Sequence, residues 1–234
     1  HTALGANLTT VNNVAVGYGA LALNVNHNNT AVGYNALTTN AAGTTNTGVG
    51  ASALGLNTTG NHNTAVGYNS LYNNTTAAGN TALGYAALTT NTTGAGNTAV
   101  GLDALQLTTT GGANTAIGAY SLDYNTTGTT NTAVGQHSLP VHTTGANNTA
   151  VGYGAFDDST TSAQNCALGM YAGNVLTTGT YNIYIGYNAS AVGGTATQEM
   201  VIGTANITGK GSATGFIAAS TGAMYQGNNG TAWT

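Results

Sequence analysis

The feature that most constrains this chain is a glycine that recurs every 17 residues, with no insertion or deletion. The recurring residues are Gly33, Gly50, Gly67, Gly84, Gly101, Gly118, Gly135, Gly152, Gly169, Gly186 and Gly203. A fixed period this short is typical of a solenoid, in which stacked coils bury a continuous core that no single coil can form alone. The sequence therefore predicts a repeat architecture before any single residue is interpreted.

Each coil repeats one local pattern around its glycine. Asn stands four residues before the glycine, Thr three before, Ala usually two before, and Val, Leu or Ile directly before, as in residues 63–66. A short β-branched run that ends at glycine is typical of a strand. We therefore predict an all-β fold, a parallel β-roll or β-solenoid of 17-residue coils over residues 1–203. A short C-terminal cap without the repeat follows over residues 204–234.

Side chains of a strand alternate between two faces, so one set faces the core. We expect Thr64 and Val66 to face inward, with Leu71 and Leu88 as a second inward apolar ladder. On this assignment, alanine and glycine form a smooth outward stripe that lets another chain approach closely, and the tyrosine after the glycine seals the contact. The predicted oligomer seam comprises Ala65, Gly67, Ala82, Gly84, Ala99 and Gly101.

Charged residues make up only 3% of the 234 residues, against about 25% in ordinary soluble proteins. Equivalent residues of stacked coils lie about 4.8 Å apart, so like charges would repel along a ladder, whereas Asn and Thr can hydrogen-bond. Lys210 is the only lysine or arginine, which leaves no basic surface for nucleic acid. No apolar stretch reaches the length that crosses a membrane. We expect neither a nucleic-acid partner nor membrane insertion.

Few residues offer catalytic or metal-binding chemistry. Asp123 and Asp157 share one position two coils apart, roughly 10 Å by strand spacing, but no inserted loop forms a cleft around them. His137 and Asp103 also share one position two coils apart, and His142 lies a short way along the chain from His137. These residues do not form the close cluster of ligands that a metal ion requires. We interpret these side chains as surface polar substitutions. The sequence predicts no enzyme activity, no catalytic residue, no metal and no cofactor.

The phrase N-T-A-V-G-Y-N-A-L at residues 29–37 resembles repeats of two families of fibrous proteins. It is similar to the N-S-V-A-I-G type repeat of trimeric autotransporter adhesin heads. It looks even more like the N-T-A-x-G-x-x-A-L arrays of bacteriophage tail fibre proteins, which precede a chaperone that trimerises the fibre and cleaves itself off. The resemblance covers residues 2–203, and residues 204–234 are similar to the stretch upstream of that chaperone. It implies a trimeric β-roll whose chain ends at Thr234 after the chaperone is released.

The resemblance implies a structural and adhesive function. The chain would form the distal part of an extracellular phage tail fibre, a homotrimer that attaches to a glycan or protein receptor on the host surface. A bacterial surface adhesin head is a close alternative. Candidates for a receptor-contacting tip are Lys210, Phe216, Tyr225 and Trp233, unless this segment only caps the last coil. An ice-binding solenoid is a second hypothesis, although the two adjacent threonines late in each coil would face opposite ways.

Overall fold

The computed structural model describes residues 3–5, 10–203, 206–219 and 222–226, in two compact units, His1–Ala119 and Tyr120–Thr234. No helix occurs among these residues. The first unit contains the strands β1 (Val14–Val16), β2 (Thr30–Val32), β3 (Thr47–Val49), β4 (Thr64–Val66), β5 (Thr81–Leu83), β6 (Thr98–Val100) and β7 (Thr115–Ile117). The second contains β8 (Thr132–Val134), β9 (Thr149–Val151), β10 (Cys166–Leu168), β11 (Ile183–Ile185), β12 (Met200–Gly203), β13 (Gly215–Ala219) and β14 (Gly222–Gln226).

Consecutive coils stack through parallel pairing of their short strands. In the first unit β4 pairs with β5, so that Thr64 lies beside Thr81 and Ala65 beside Ala82, a shift of one 17-residue period. Parallel pairing links the successive strands of the first unit in the same order. In the second unit it links β8 through β12. The predicted parallel β-solenoid of 17-residue coils is therefore confirmed in both units.

The strand points its small residue into the core, which is the reverse of our assignment. Ala65 is fully buried, whereas Thr64 is exposed and Val66 is half-buried. The space behind this position is already occupied by the leucine ladder, since a Cβ added at Gly48, the equivalent of Ala65, would lie 3.3 Å from Leu37 Cγ. Two β-branched side chains per coil would overfill so thin a core. The prediction that Val66 and Thr64 face inward is therefore wrong.

The second predicted apolar ladder is confirmed. Its fully buried members are Leu21, Leu37, Leu54, Leu71, Leu88, Leu105, Leu122, Leu139 and Phe156. One coil later Gly173 takes this place, and the space is filled by the rings of Phe156 and Tyr184, which meet edge to face with centroids 6.1 Å apart. Tyr184 stands where most other coils carry alanine. A large residue on the strand therefore compensates for the missing leucine and keeps the core closely packed.

An asparagine ladder ties the backbones of successive coils together. The side-chain Oδ1 of Asn63 accepts the backbone N–H of Asn80 at 2.9 Å, and its Nδ2 donates to the carbonyl of Ala77 at 2.9 Å. Asn46 and Asn97 make the equivalent bonds. Asparagine suits this buried position because its amide is both donor and acceptor, so it satisfies one backbone N–H and one backbone carbonyl of the next coil.

A second asparagine ladder lies seven residues after the strand glycines of the first unit. Asn74 Nδ2 donates to Asn57 Oδ1 at 2.8 Å and to the carbonyl of Ala77 at 3.1 Å. Asn91 continues the ladder by donating to Asn74 Oδ1 at 3.1 Å. The next member is Thr108, which has no amide to donate, and Asn91 Oδ1 is buried without a hydrogen-bond partner among the described residues. The ladder is therefore incomplete at this coil.

The substitution Thr108→Asn is expected to raise the free energy of unfolding by about 1 kcal/mol, because the new amide can donate to the buried Asn91 Oδ1. Urea denaturation of the parent chain and the variant measures the change. Thr110→Asn is the matched control at an exposed position of the same coil, and it should leave the midpoint unchanged. A lower midpoint for Thr108→Asn than for the control would count against the ladder interpretation.

Glu199 ends the first asparagine ladder in the second unit. Its backbone N–H donates to Asn182 Oδ1 at 2.8 Å. Its buried carboxylate accepts the hydroxyl of Tyr184 at 3.1 Å and the N–H of Gly211 at 2.6 Å. The pKa of Tyr184 is raised above its ordinary value. Burial is the largest cause, and the negative charge of Glu199 and its hydrogen bond with the tyrosine hydroxyl add to it. The carboxylate thus fixes the chain after the last coil, where β13 pairs in parallel with β12 and β14 antiparallel with β13.

Candidate functional site

The first candidate surface is the outward side of the strands, here called the strand face, formed by the first and third residues of β1 to β12. Within each unit these residues are threonine, valine, leucine, isoleucine, cysteine or methionine, and none of them is charged. They are half-buried or exposed; the exposed fraction is 47% for Leu83 and 48% for Leu168. A contiguous exposed apolar surface is typical of an interaction site.

The surface that the coils offer to another chain is the strand face, and not the alanines of the predicted oligomer seam. The alanines of that seam are fully buried in the core: Ala65, Ala82 and Ala99. The glycines of that seam are partly exposed where each strand ends: Gly67, Gly84 and Gly101. Because the alternation of the strand is opposite to our assignment, the residues offered to another chain are threonine and aliphatic side chains. The expectation that the seam alanines face outward is wrong.

The second candidate surface is a row of tyrosines directly after the strand glycines. In the first unit Tyr18 stacks on Tyr34, with ring centroids 5.5 Å apart and planes 11° from parallel. Tyr68 stacks on Tyr85 at 5.3 Å and 19°. All four rings are about half exposed. Stacking holds each ring in a fixed orientation, and such exposed aromatic side chains commonly contact ligands and partners.

In the second unit a separate group of aromatic rings includes a histidine, and most of its members lie two residues after the strand glycines. His137 stacks on Tyr120 at 5.1 Å and meets the edge of Tyr153, which in turn meets Tyr171 edge to face at 5.3 Å. The carboxyl group of Asp157 interacts electrostatically with His137, a member of this group. Its partial burial and then the negative charge of Asp158 raise the pKa of its carboxyl, while His137 opposes the rise.

Two shallow grooves border these surfaces. A groove of about 370 Å³, here called the tyrosine groove, is lined by Tyr18, Gly19, Ala22, Leu23, Tyr34, Asn35 and Thr38. A second groove, of about 440 Å³, lies along the edge of the strand face and is lined by Asn147, Thr149, Gln164, Asn165, Cys166, Tyr181, Asn182 and Ile183. Neither groove is predicted from the sequence, because each is lined by residues of successive coils that come together only when the coils stack.

The four residues predicted for a receptor tip are only partly placed. Lys210 is exposed in the segment before β13. Phe216 and Tyr225 lie opposite each other in the backbone register of β13 and β14. Trp233 lies outside the described residues. The receptor tip therefore stays a prediction.

The residues considered for catalysis and metal binding do not form a cluster. Among the described residues there is no group of three or more His, Cys, Asp or Glu side chains that could hold a metal ion. Asp123 and Asp157 lie in the second unit with Pro140 at the equivalent position between them. His142 is fully buried, which corrects our interpretation of it as a surface residue. It replaces an asparagine of the second ladder, and its Nδ1 lies 3.4 Å from Ser159 Oγ.

Replacement of His142 by asparagine is expected to flatten the acid side of the stability profile. Burial lowers the pKa of His142 below the ordinary 6.5, against opposing hydrogen bonds with the backbone of Gly145 and Ser159. As the pH falls, His142 is therefore protonated in the unfolded chain before it is protonated in the folded chain. Stability is full above the unfolded pKa and falls as the pH drops through 6.5 toward the lower folded pKa, by about 1.4 kcal/mol for each unit of pKa difference.

Urea titrations at several values between pH 7.5 and 5, in buffers spaced by roughly half a unit, measure this effect through the linkage of protonation and folding. His62→Asn is the matched control, since His62 is exposed. We expect the control to keep the acid-dependent loss of stability and His142→Asn to lose part of it. An unchanged profile in His142→Asn would show that the buried imidazole is not the titrating group.

The chain matches no protein-family model, no curated protein and no solved structure. The part of the chain that the structure describes contains no helix with the length and hydropathy needed to cross a bilayer.

Proposed function

We propose that this protein is a structural and adhesive fibre component, the distal part of a bacteriophage tail fibre that attaches to the host surface. The observation that carries the proposal is the strand face, an uncharged and largely aliphatic surface that repeats from coil to coil in each unit. Such a surface is typical of an interaction site, and a fibre would use it to join identical chains.

A second copy of the same chain is the partner that best fits the strand face. Its residues are spaced by one strand separation per coil, about 4.8 Å, and an identical chain carries the same spacing. The surface has no charges that would repel a copy of itself. Three chains around one axis, as the resemblance implies, would bury the strand faces and leave the tyrosine row outside. We propose a homotrimer on this basis.

The adhesive part of the proposal depends on the tyrosine row, whose residues follow the strand glycines and are distinct from those of the strand face. Half-exposed tyrosines held by stacking offer a rigid contact surface at little cost in side-chain entropy. Repetition of that surface on three chains would multiply weak contacts into firm attachment. The proposed partner is therefore a glycan or protein receptor on a cell surface, and the proposed location is extracellular, on the virion. The proposal involves no catalytic step.

Binding of the fluorescently labelled chain to a panel of bacterial strains, and to cultured animal cells, tests the adhesive function. We expect saturable binding to at least one bacterial strain, competed by unlabelled protein. Binding to animal cells alone would favour the adhesin-head alternative, in which the same solenoid belongs to a bacterial surface. Binding to no cell of either kind would contradict an adhesive role.

A second candidate function, ice binding, is favoured by the outward threonines of the strand face. Thr30, Thr47 and Thr64 form an outward ladder in parallel register. The adjacent threonine pair contributes less, because the first member of each pair, such as Thr75, donates its hydroxyl to the carbonyl of the next coil at 3.2 Å. A thermal hysteresis assay tests this function, and clear hysteresis in a monomeric chain would place it above the fibre proposal.

A further inference from the structure

The tyrosine groove in the first unit has a glycine in its wall, and the amide of Asn35 occupies the space of the missing side chain. Gly19 stands where the next coils carry Asn35, Ser52 and Asn69, two residues after the strand glycine. The amide oxygen of Asn35 lies directly over Gly19, in the space that a Cβ there would occupy. Together with the exposed side chain of Leu23 and the stacked tyrosines, this leaves a groove of about 370 Å³, within the usual volume of small-ligand sites.

We propose that the tyrosine groove binds a neutral pyranose ring of a surface glycan. This inference rests on the proposed adhesive function and assigns the ligand class and the position of the contact. The C–H groups of a pyranose pack against an aromatic ring, and Tyr34 is 57% exposed. In the next coil the equivalent residue is Ala51, whose methyl group is too small to cover the ring of Tyr34.

The polar groups of the tyrosine groove fit sugar hydroxyls. The side-chain amide of Asn35 has no hydrogen bond to another described residue, so both its donor and its acceptor are free for a ligand. Thr38 donates its hydroxyl proton to the carbonyl of Gly19 at 2.7 Å, which leaves the lone pairs of its oxygen to accept a sugar hydroxyl. No lining residue carries a charge. The groove therefore suits a neutral sugar better than an anionic one.

The position of the tyrosine groove keeps it available in the proposed trimer. The larger groove near Cys166 is lined by strand-face residues such as Thr149 and Ile183, so association of the chains through that face would cover it. The tyrosine groove has no strand-face residue in its lining. It is therefore the groove of the two that an assembled fibre would still present to a cell.

Printed arrays of neutral hexose and N-acetylhexosamine oligosaccharides, with sialylated and uronic-acid oligosaccharides beside them, test the proposal on the full chain. We expect binding to neutral members. Tyr34→Ala and Asn35→Ala should each weaken the strongest signal about tenfold or more, as loss of a central contact does. The matched control is Tyr124→Ala, which removes a similarly exposed tyrosine that lies outside the tyrosine row, and it should bind like the parent.

Gly19→Asn tests the groove by a second route, because a side chain at this position would displace the amide of Asn35 from the place it now occupies. Its φ of 70° is one that asparagine tolerates, and Asn35 takes a similar φ of 52° one coil later, so the fold should persist. The added side chain fills the groove and should abolish glycan binding. Retained binding in Gly19→Asn, binding of acidic glycans only, binding of no glycan, or equal loss in Tyr124→Ala would each overturn the proposal. Cell binding separates the two proposals. If Gly19→Asn binds bacterial cells as strongly as the parent chain does, the adhesive function stands and only the assignment of the glycan to the tyrosine groove fails.

Discussion

Replacement of Gly101 by alanine should lower the free energy of unfolding by about 3 kcal/mol or more, because two costs add. The first is conformational: Gly101 has φ near 139°, a region that only glycine enters readily. The second is steric, since an added Cβ would lie 2.6 Å from both the carbonyl carbon and oxygen of Gly118 in the next coil. Those are backbone atoms of a stacked coil, so neither can move without breaking the pairing of β6 with β7.

Two control substitutions separate these costs. Gly79 has φ of 71° but no atom within 4 Å of an added Cβ, so Gly79→Ala should cost only the conformational term, about 1 kcal/mol. Gly193 has no positive φ, and no atom lies within 4 Å of a Cβ added there. The free energy of unfolding of Gly193→Ala should therefore be within about 0.5 kcal/mol of the parent value. Urea denaturation ranks the three variants. If Gly101→Ala is no less stable than Gly79→Ala, the recurring glycine is not explained by close approach of the coils.

Replacement of Asn63 by alanine should lower the free energy of unfolding by about 3 kcal/mol, from an unsatisfied buried N–H and a small cavity. The N–H of Asn80 loses its acceptor, and no water can reach it because Asn80 is fully buried. The carbonyl of Ala77 is less affected, since it still accepts the amide of Asn74. The loss is therefore concentrated at one backbone donor.

Thr76→Ala is the control for the asparagine ladder, because it removes a polar side chain from an exposed position one coil away. Its midpoint should match that of the parent chain. Hydrogen exchange adds a local test: the amide of Asn80 should lose protection in Asn63→Ala and keep it in Thr76→Ala. Full protection of that amide in Asn63→Ala would contradict the role assigned to the ladder.

The period, the strand position and the leucine ladder could all be predicted, because each depends on a regular spacing along the chain. The glycines from Gly33 to Gly203 mark the coils of β2 through β12, and Leu71 and Leu88 are buried as expected. The facing of the three-residue strand could not be obtained in the same way, because alternation allows two answers. The small residue at the middle position, Ala65 and its equivalents, was the available signal, since a thin core accepts only one small side chain there.

The candidate surfaces were harder to predict than the fold. The strand face follows directly once the alternation is known. The tyrosine groove does not, because it depends on Gly19, Tyr34 and Asn35 meeting across two coils and on a missing side chain. The burial of His142 was also missed, although it occupies the same place in its coil as the buried Asn74 and Asn91. A position-by-position comparison of the coils would have indicated it.

The native mass of the chain by light scattering is the most direct test of the fibre account. We expect about three times the chain mass of 22.9 kDa. Leu83→Lys, which places a charge on the strand face, should reduce the assembly to single chains. Leu102→Lys, at an exposed leucine outside that face, should leave the mass unchanged. A parent chain that runs as a monomer of 22.9 kDa, or equal dissociation by both variants, would contradict the account.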